Sequence, residues 1–147
     1  METVCSMLRR KGSQIYWLAP EATVYEAIAM MADKSVGALL VLSGGKLTGI
    51  VSERDYARKV ILQGRSSKDT QVQEIMTPSP ITVRSSETVD ECLRLVTQKR
   101  IRHLPVVDDG VLQGMISIGD LVKAIISAQS YTIDQLHTYI GAGYPAP

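Results

Sequence analysis

The chain has 147 residues, enough for one domain or two small ones with a real core, and a 45% apolar share with mean hydropathy near zero is ordinary for a globular fold. Sixteen basic and fifteen acidic residues are interspersed and leave a formal charge of +1, so no field points to nucleic acid or to a membrane surface. No apolar run approaches the roughly 20 residues of a membrane span, and the start lacks a basic and apolar leader pattern, so the expectation is a cytoplasmic chain.

Val4, Met7 and Leu8 open the chain as a lead helix, and residues 14–18, which contain Tyr16, Trp17 and Leu18, look like a short strand. Thr23-Val-Tyr-Glu26 has the form of a capping box, in which hydroxyl and carboxylate satisfy opposite orphan N–H groups. A helix should start there, with Val24, Ala27, Ile28, Met31 and Ala32 on one face. The apolar run 38–42 is short enough for a buried strand. Ser43-Gly44-Gly45 is hairpin chemistry, residues 50–52 are the return strand, and residues 56–62 are helical. Residues 64–70, rich in Ser, Lys and Asp, form a connector.

The pattern then repeats. After the breakers Pro78 and Pro80, residues Ile81, Thr82 and Val83 look like a strand, and Thr88-Val-Asp-Glu91 is a second capping box. Its helix places Val89, Cys92, Leu93 and Val96 on one face. A strand over 104–107, a turn at Asp108-Asp109-Gly110, a return strand over 115–117 and a helix over 121–127 follow. Laying residues 22–61 over 87–126, an offset of 65 without a gap, gives twelve identities in forty positions. That is an internal duplication. A weaker echo at offset 68 sets Val4, Met7 and Leu8 against Val72, Ile75 and Met76. The fold class is α+β, two β-α-β-β-α units packed as a pseudo-twofold pair. The grouping along the chain is 1–66 for the lead helix and repeat 1, 67–130 for linker and repeat 2, and 131–147 for a C-terminal amphipathic helix and tail. Ile133, Leu136, Tyr139 and Ile140 carry that helix at helical spacing, and Gly141-Ala-Gly-Tyr-Pro ends it.

In each copy a Gly-led apolar run ends in a Ser with an Asp three residues on, as Ser52 and Asp55, then as Ser117, Gly119 and Asp120. A strand feeding a helix leaves backbone N–H groups unpartnered at the positive end of the helix dipole, a ready anion site. Ser-x-x-Asp before a helix is equally a plain capping arrangement, and the two roles are compatible. Cys5 and Cys92 have no CxxC spacing and no neighbouring His, so neither a disulfide framework nor a zinc site is indicated.

The sequences Gly49-Ile-Val-Ser-Glu-Arg-Asp55, Arg100-Ile-Arg-His-Leu-Pro-Val-Val-Asp108 and Gly114-Met-Ile-Ser-Ile-Gly-Asp120 resemble a tandem pair of CBS (cystathionine-β-synthase) domains. The likeness runs over roughly residues 4–128, and is nearest to the stand-alone bacterial pairs and related plant organellar ones. The resemblance implies pseudo-symmetric pairing, a homodimer shaped as a flat disc, and adenosine-containing ligands in the cleft: AMP first, with ATP, NAD(H) or S-adenosylmethionine as alternatives.

By the family pattern, Asp120 and Asp55 accept from ribose hydroxyls, which a carboxylate does well, and Ser117 and Ser52 suit a phosphate or ribose oxygen. The adenine slot falls on Ile81-Thr82-Val83 and Tyr16-Trp17-Leu18, with Leu104-Pro105-Val106 and Leu39-Leu40-Val41. Charge separates the halves. Arg100, Arg102 and His103 precede the middle strand of copy two, where copy one has Ser35, Gly37 and Ala38, and Arg pairs strongly with phosphate. The Asp120 site is therefore the expected phosphate binder. Gly37 and Ala38 leave room for a bulkier ligand at the Asp55 site, where Arg54, Arg58 and Lys59 offer charge or form a solvated helix face. Trp17 is read either as a base-stacking ring or as a core or dimer contact.

With no activated nucleophile, metal cluster or acid-base pair at suitable spacing, the leading function is a non-enzymatic sensor that passes nucleotide state to an effector protein. A structural dimerisation module is the alternative, and a nucleotide-processing enzyme ranks last.

Overall fold

A computed structural model describes residues 2–141. Thr3 caps helix α1 (Val4–Lys11), and a two-residue strand β1 (Trp17–Leu18) precedes helix α2 (Val24–Lys34). The hairpin β2 (Ala38–Ser43) and β3 (Lys46–Ser52) leads into α3 (Glu53–Tyr56), which continues as a π-helical stretch, Ala57–Ile61. A 3₁₀ turn at Val72–Glu74 and a short β4 (Thr77–Pro78) open the second half. Helix α4 (Val89–Lys99), the hairpin β5 (His103–Asp108) and β6 (Val111–Ser117), and helix α5 (Ile118–Gly141) complete it.

Local chemistry explains the repeated parts. Thr23 and Thr88 each form the complete capping box with Glu26 and Glu91. The hairpin turns need left-handed backbone, supplied by Gly44 and Gly45 in one copy and Asp109 and Gly110 in the other. Both hairpins carry an irregularity at the same place, between Val41 and Leu42 and between Val106 and Val107. The buried faces are those the spacing indicates, Val24, Ala27 and Met31 in α2 and Val89, Cys92 and Val96 in α4. Ala32 is exposed instead, at the edge of the stripe.

Four elements depart from the sequence expectation. The first strand of copy one is shortened to Trp17–Leu18, parallel to β2 at Leu40 and Val41. Its counterpart over 81–83 reduces to one parallel bridge, Val83 to Val106. Leu40 donates its N–H to the Tyr16 carbonyl at 3.2 Å, whereas the equivalent residue in copy two is Pro105, which has no N–H to give. The third departure is where the junction helices begin, directly after Ser52 and Ser117, because those serines are the caps. The fourth is the tail, which is no separate helix. Helix α5 runs unbroken from Ile118 to Gly141, with no Gly or Pro between Ser127 and Tyr131 to stop it. Residues 142–147, where the terminating pattern was read, lie outside the described residues.

The lead segments are exchanged between the halves. Val4, Met7 and Leu8 of α1 sit in the core of the second repeat with Val89, Cys92 and Leu104. Val72 and Ile75 sit in the core of the first, with Val24, Leu39 and Val51. Backbone bonds fix both crossings: Val4 N–H to the Glu87 carbonyl and Val72 N–H to the Ala22 carbonyl, each 2.8 Å. Residues 2–11 thus precede repeat 1 in the chain and pack on repeat 2 in space.

This exchange gives the junction glycines their role. A Cβ on Gly49 would run into Met76 Sδ and meet the Thr77 carbonyl oxygen at 3.0 Å, and one on Gly114 would meet Leu8 Cδ2 at 3.0 Å. Backbone lines one site and only a flexible side chain the other. Gly49→Ala is therefore expected to lose about 1–3 kcal/mol of stability and Gly114→Ala clearly less, with urea unfolding of both variants as the check.

Candidate functional site

Each strand-to-helix corner is built by the same three bonds. The Ser52 N–H donates to Asp55 Oδ2 at 2.9 Å, and the Asp55 N–H donates to Ser52 Oγ at 3.2 Å. At the second corner the corresponding distances for Ser117 and Asp120 are 2.8 and 3.1 Å. The first amide of each helix is also taken, Glu53 N–H by the Gly37 carbonyl at 3.0 Å and Ile118 N–H by the Arg102 carbonyl at 2.8 Å. The helix starts are thus less open to an anion than the sequence implies. What the corners offer instead is a carboxylate held in a fixed orientation.

A cleft of about 600 Å³ opens beside the first corner, within the range of a small-molecule site. Its walls come from both halves. The first repeat contributes Gly37, Ile50, Ser52, Glu53, Arg54 and Asp55. The segment after the 3₁₀ turn adds Thr77, Ser79, Pro80 and Ile81, and the start of the second hairpin adds Arg100, Ile101, Arg102 and His103. Arg100 reaches this place as the left-handed C-cap of α4, with φ 54°, where α2 has Ser35 at φ 55°.

The structure therefore regroups the expected site residues. Gly37, Ser52, Arg54, Asp55, Ile81, Arg100, Arg102 and His103 meet in one cleft. The basic cluster expected at Asp120 lines the Asp55 cleft, while the Asp120 carboxylate also acts on His103. Ser117, Gly119 and Asp120 form the second corner, outside these walls. Leu18, Ala38, Val83, Leu104 and Pro105 are buried and do not line the cleft. Tyr16 packs on the first core with the Lys34 ammonium 5.6 Å from its ring centre, while Trp17 is half exposed and, like Thr82, is no part of the cleft wall. Lys59 bonds Asp55 Oδ1 at 3.2 Å and the Ile75 carbonyl at 2.8 Å, so it belongs to the corner.

Sequence reasoning missed Thr77, Ser79, Glu53 and Lys11. Around Thr77 and Ser79 only the neighbours Pro78 and Pro80 stood out, as breakers, yet Ser79 holds a left-handed φ of 46° between those two prolines at the cleft. Lys11 reaches the second corner through the exchange of lead segments: its Nζ donates to Asp120 Oδ2 at 2.6 Å and to the Met115 carbonyl at 2.9 Å. Burial works to raise the Asp120 carboxyl, but Lys11, the Ser117 N–H and the Ser117 hydroxyl outweigh it and hold the group below the ordinary range. Burial pushes His103 down; Asp120 opposes this, and Arg102 and Lys11 add to it. Among the described residues no three His, Cys, Asp or Glu side chains gather as a metal site, and no helix is long and apolar enough to cross a membrane.

Taken together, fold and cleft define a duplicated module whose two halves share cores and one ligand-sized opening. The CBS domain family model matches residues 7–61 and 72–127, and the chain belongs to the CBS-domain family. It is 41% identical over 151 aligned residues to the mitochondrial CBS domain-containing protein CBSX3 of Arabidopsis thaliana, covering 97% of this chain and 73% of that one. Among solved structures, a protein with CBS domains from Burkholderia ambifaria MC40-6 superposes with a TM-score of 0.83 at 53% identity, over 86% of this chain and 96% of that one. CBSX2, solved in complex with AMP, gives a TM-score of 0.72 at 29% identity, over 88% and 99% of the two chains.

The lowered His103 sets a pH dependence. An unfolded histidine titrates near 6.5 and the folded one lower, so the folded chain binds fewer protons between those values. Stability is present above 6.5 and falls as pH drops through that window. Asp120 adds a second loss, which begins only as pH falls below its unfolded value of 3.8. Urea unfolding across the histidine window is expected to show stability declining toward acid, and His103→Asn should flatten that slope.

Proposed function

We propose that the Asp55 cleft binds an adenosine nucleotide, AMP first among the candidates, and that the chain is a non-catalytic regulatory module that passes this occupancy to an effector protein. The observation that carries the reading is the composition of the cleft, with the Ser52-x-x-Asp55 corner on one repeat and Arg100, Arg102 and His103 on the other. Asp55 suits a ribose diol, since an ionised carboxylate has about four acceptor positions and its bonds to Ser52 and Lys59 fix its orientation. The guanidinium groups suit a phosphate. Pro80, Ile81 and Ile50 give an apolar wall for a base. The AMP complex of the similar CBSX2 supports the choice of nucleotide.

A ligand that touches both repeats favours whichever relative placement of the two lets it reach both walls, and that differential affinity is what a sensor needs. A homodimer is part of the proposal. Ile61, Leu62, Val122 and Ile126 are exposed apolar residues on the helices of both junctions, which supports association with a second copy. A cytoplasmic location is likewise part of the proposal; the similar CBSX3 is a mitochondrial protein.

Thermal denaturation of nucleotide-free protein with AMP, ATP, NADH and S-adenosylmethionine tests the reading, since a ligand at 100 times its Kd stabilises by about 2.7 kcal/mol. AMP is expected to raise the Tm. Asp55→Asn keeps a capping side chain, and Arg102→Met keeps the stem. Each should weaken AMP by about tenfold or more, the worth of one charged hydrogen bond. No shift with any of the four ligands would overturn the proposal.

A further inference from the structure

We infer that Lys11 is a built-in competitor for the second corner: its ammonium sits on Asp120 where a ligand hydroxyl would bond, and makes the two corners of the chain unequal toward the same nucleotide. The inference deepens the proposed function: it rests on the Asp55 cleft being an adenosine-nucleotide site and extends that reading to the duplicated Asp120 corner.

The asymmetry traces to the lead segments. At the offset of 68 that relates them, the residue answering Lys11 is Ser79. Each occupies its own corner. Ser79 lines the first cleft with a short hydroxyl, while Lys11 brings a long cation to the second corner at 2.6 Å. The reason is local. The first lead segment contains no proline and stays helical to Lys11, so its last turn carries the lysine across to Asp120. The second has Pro78 and Pro80, cannot continue as a helix, and turns extended as β4.

Asp55 also has a lysine, but of another origin and a looser geometry. Lys59 lies one turn along the same helix, 3.2 Å from Oδ1, and its position in the second repeat is Ala124. At the second corner the Lys11 ammonium and the Ser117 N–H converge on the single oxygen Oδ2. The Met115 carbonyl takes another of the ammonium protons, so the lysine is held from two sides. Asp120 and Lys11 keep 25% and 34% of their side-chain surface exposed, so the pair can exchange with solvent and with a ligand. A nucleotide that takes the Asp120 carboxylate must first free it, which lowers the apparent affinity by the fraction of time the corner is open.

Calorimetric titration with AMP tests this in the Asp55→Asn background, where the first cleft is weakened and the second corner is fitted as a separate binding step. Adding Lys11→Met is expected to tighten AMP by about fivefold, the scale of one part-exposed ion pair, while Lys11→Arg keeps the competitor and leaves affinity as in the background. Unchanged affinity in Lys11→Met, or no binding to the second corner in either variant while the parent chain binds, overturns the inference. Weaker binding also overturns it, and makes Lys11 a phosphate ligand. If the parent chain binds no AMP, the functional reading fails and the inference with it. A readout free of nucleotide separates the cases: the Asp120 carboxyl, followed by NMR, should titrate at higher pH in Lys11→Met than in the parent. Identical midpoints mean that the ion pair does not form in solution, which also overturns the inference.

Discussion

Each half of this chain closes its core with residues that precede the other half. A unit of about 60 residues buries only about 60% of its unfolded surface and is marginal alone. Here Val4, Met7 and Leu8 fill the second core and Val72 and Ile75 the first, with short backbone bonds at each crossing. Pulling the repeats apart therefore exposes two cores at once. A cleft lined by both repeats is sensitive to their relative placement.

The exchange also breaks the symmetry that the duplication sets up. Both corners have the same capping geometry and the same strand register, yet the segments delivered to them differ in whether they can be helical. Two prolines send the second lead past the first corner as the short strand β4 and the irregular turn after it, which present Thr77, Ser79 and Ile81 to the cleft. A helix reaches the second corner and presents a lysine. Pro105 adds a third difference, by removing the ladder bond that Leu40 makes and leaving the Val83 segment tied by a single bridge. Sequence identity at Gly, Ser and Asp is thus compatible with two chemically distinct corners.

What the sequence made legible was local. Capping boxes at Thr23 and Thr88, hairpin turns at Gly44-Gly45 and Asp109-Gly110, and the offset of 65 depend on residues within a few positions of one another, or on the repeat itself. The duplication of a unit too small to stand alone pointed to the pairing of the halves, and the family resemblance implied the same. What stayed hidden depends on which segment lands beside which. Gly49 and Gly114 were read as the start of an apolar run, and their purpose, space for Met76 and Leu8, needs the crossing to be known. Arg100, Arg102 and His103 were assigned to Asp120 because they belong to the same repeat, but the turn after α4 brings them to the cleft beside Asp55. Helix α5 was divided at Ser127 because the core-facing periodicity ends there, although helical backbone needs no core to persist through residues that do not break it.

Capping and recognition reinforce each other at these corners. A carboxylate that already accepts from Ser52 cannot swing away, so a ligand meets it with little ordering left to do, and the bonds that stabilise the helix start also hold the acceptor in place. The same economy links the cleft to the longest helix. The side chain of Arg102 lines the cleft, while its carbonyl accepts the Ile118 N–H at 2.8 Å, the first amide of α5. A displacement of the Arg102 backbone would therefore be carried to the start of a 24-residue helix whose far part has Ile133 and Leu136 exposed. The first repeat has the same bond, from Glu53 to the Gly37 carbonyl, but there the residue in the cleft is a glycine with no side chain to pull.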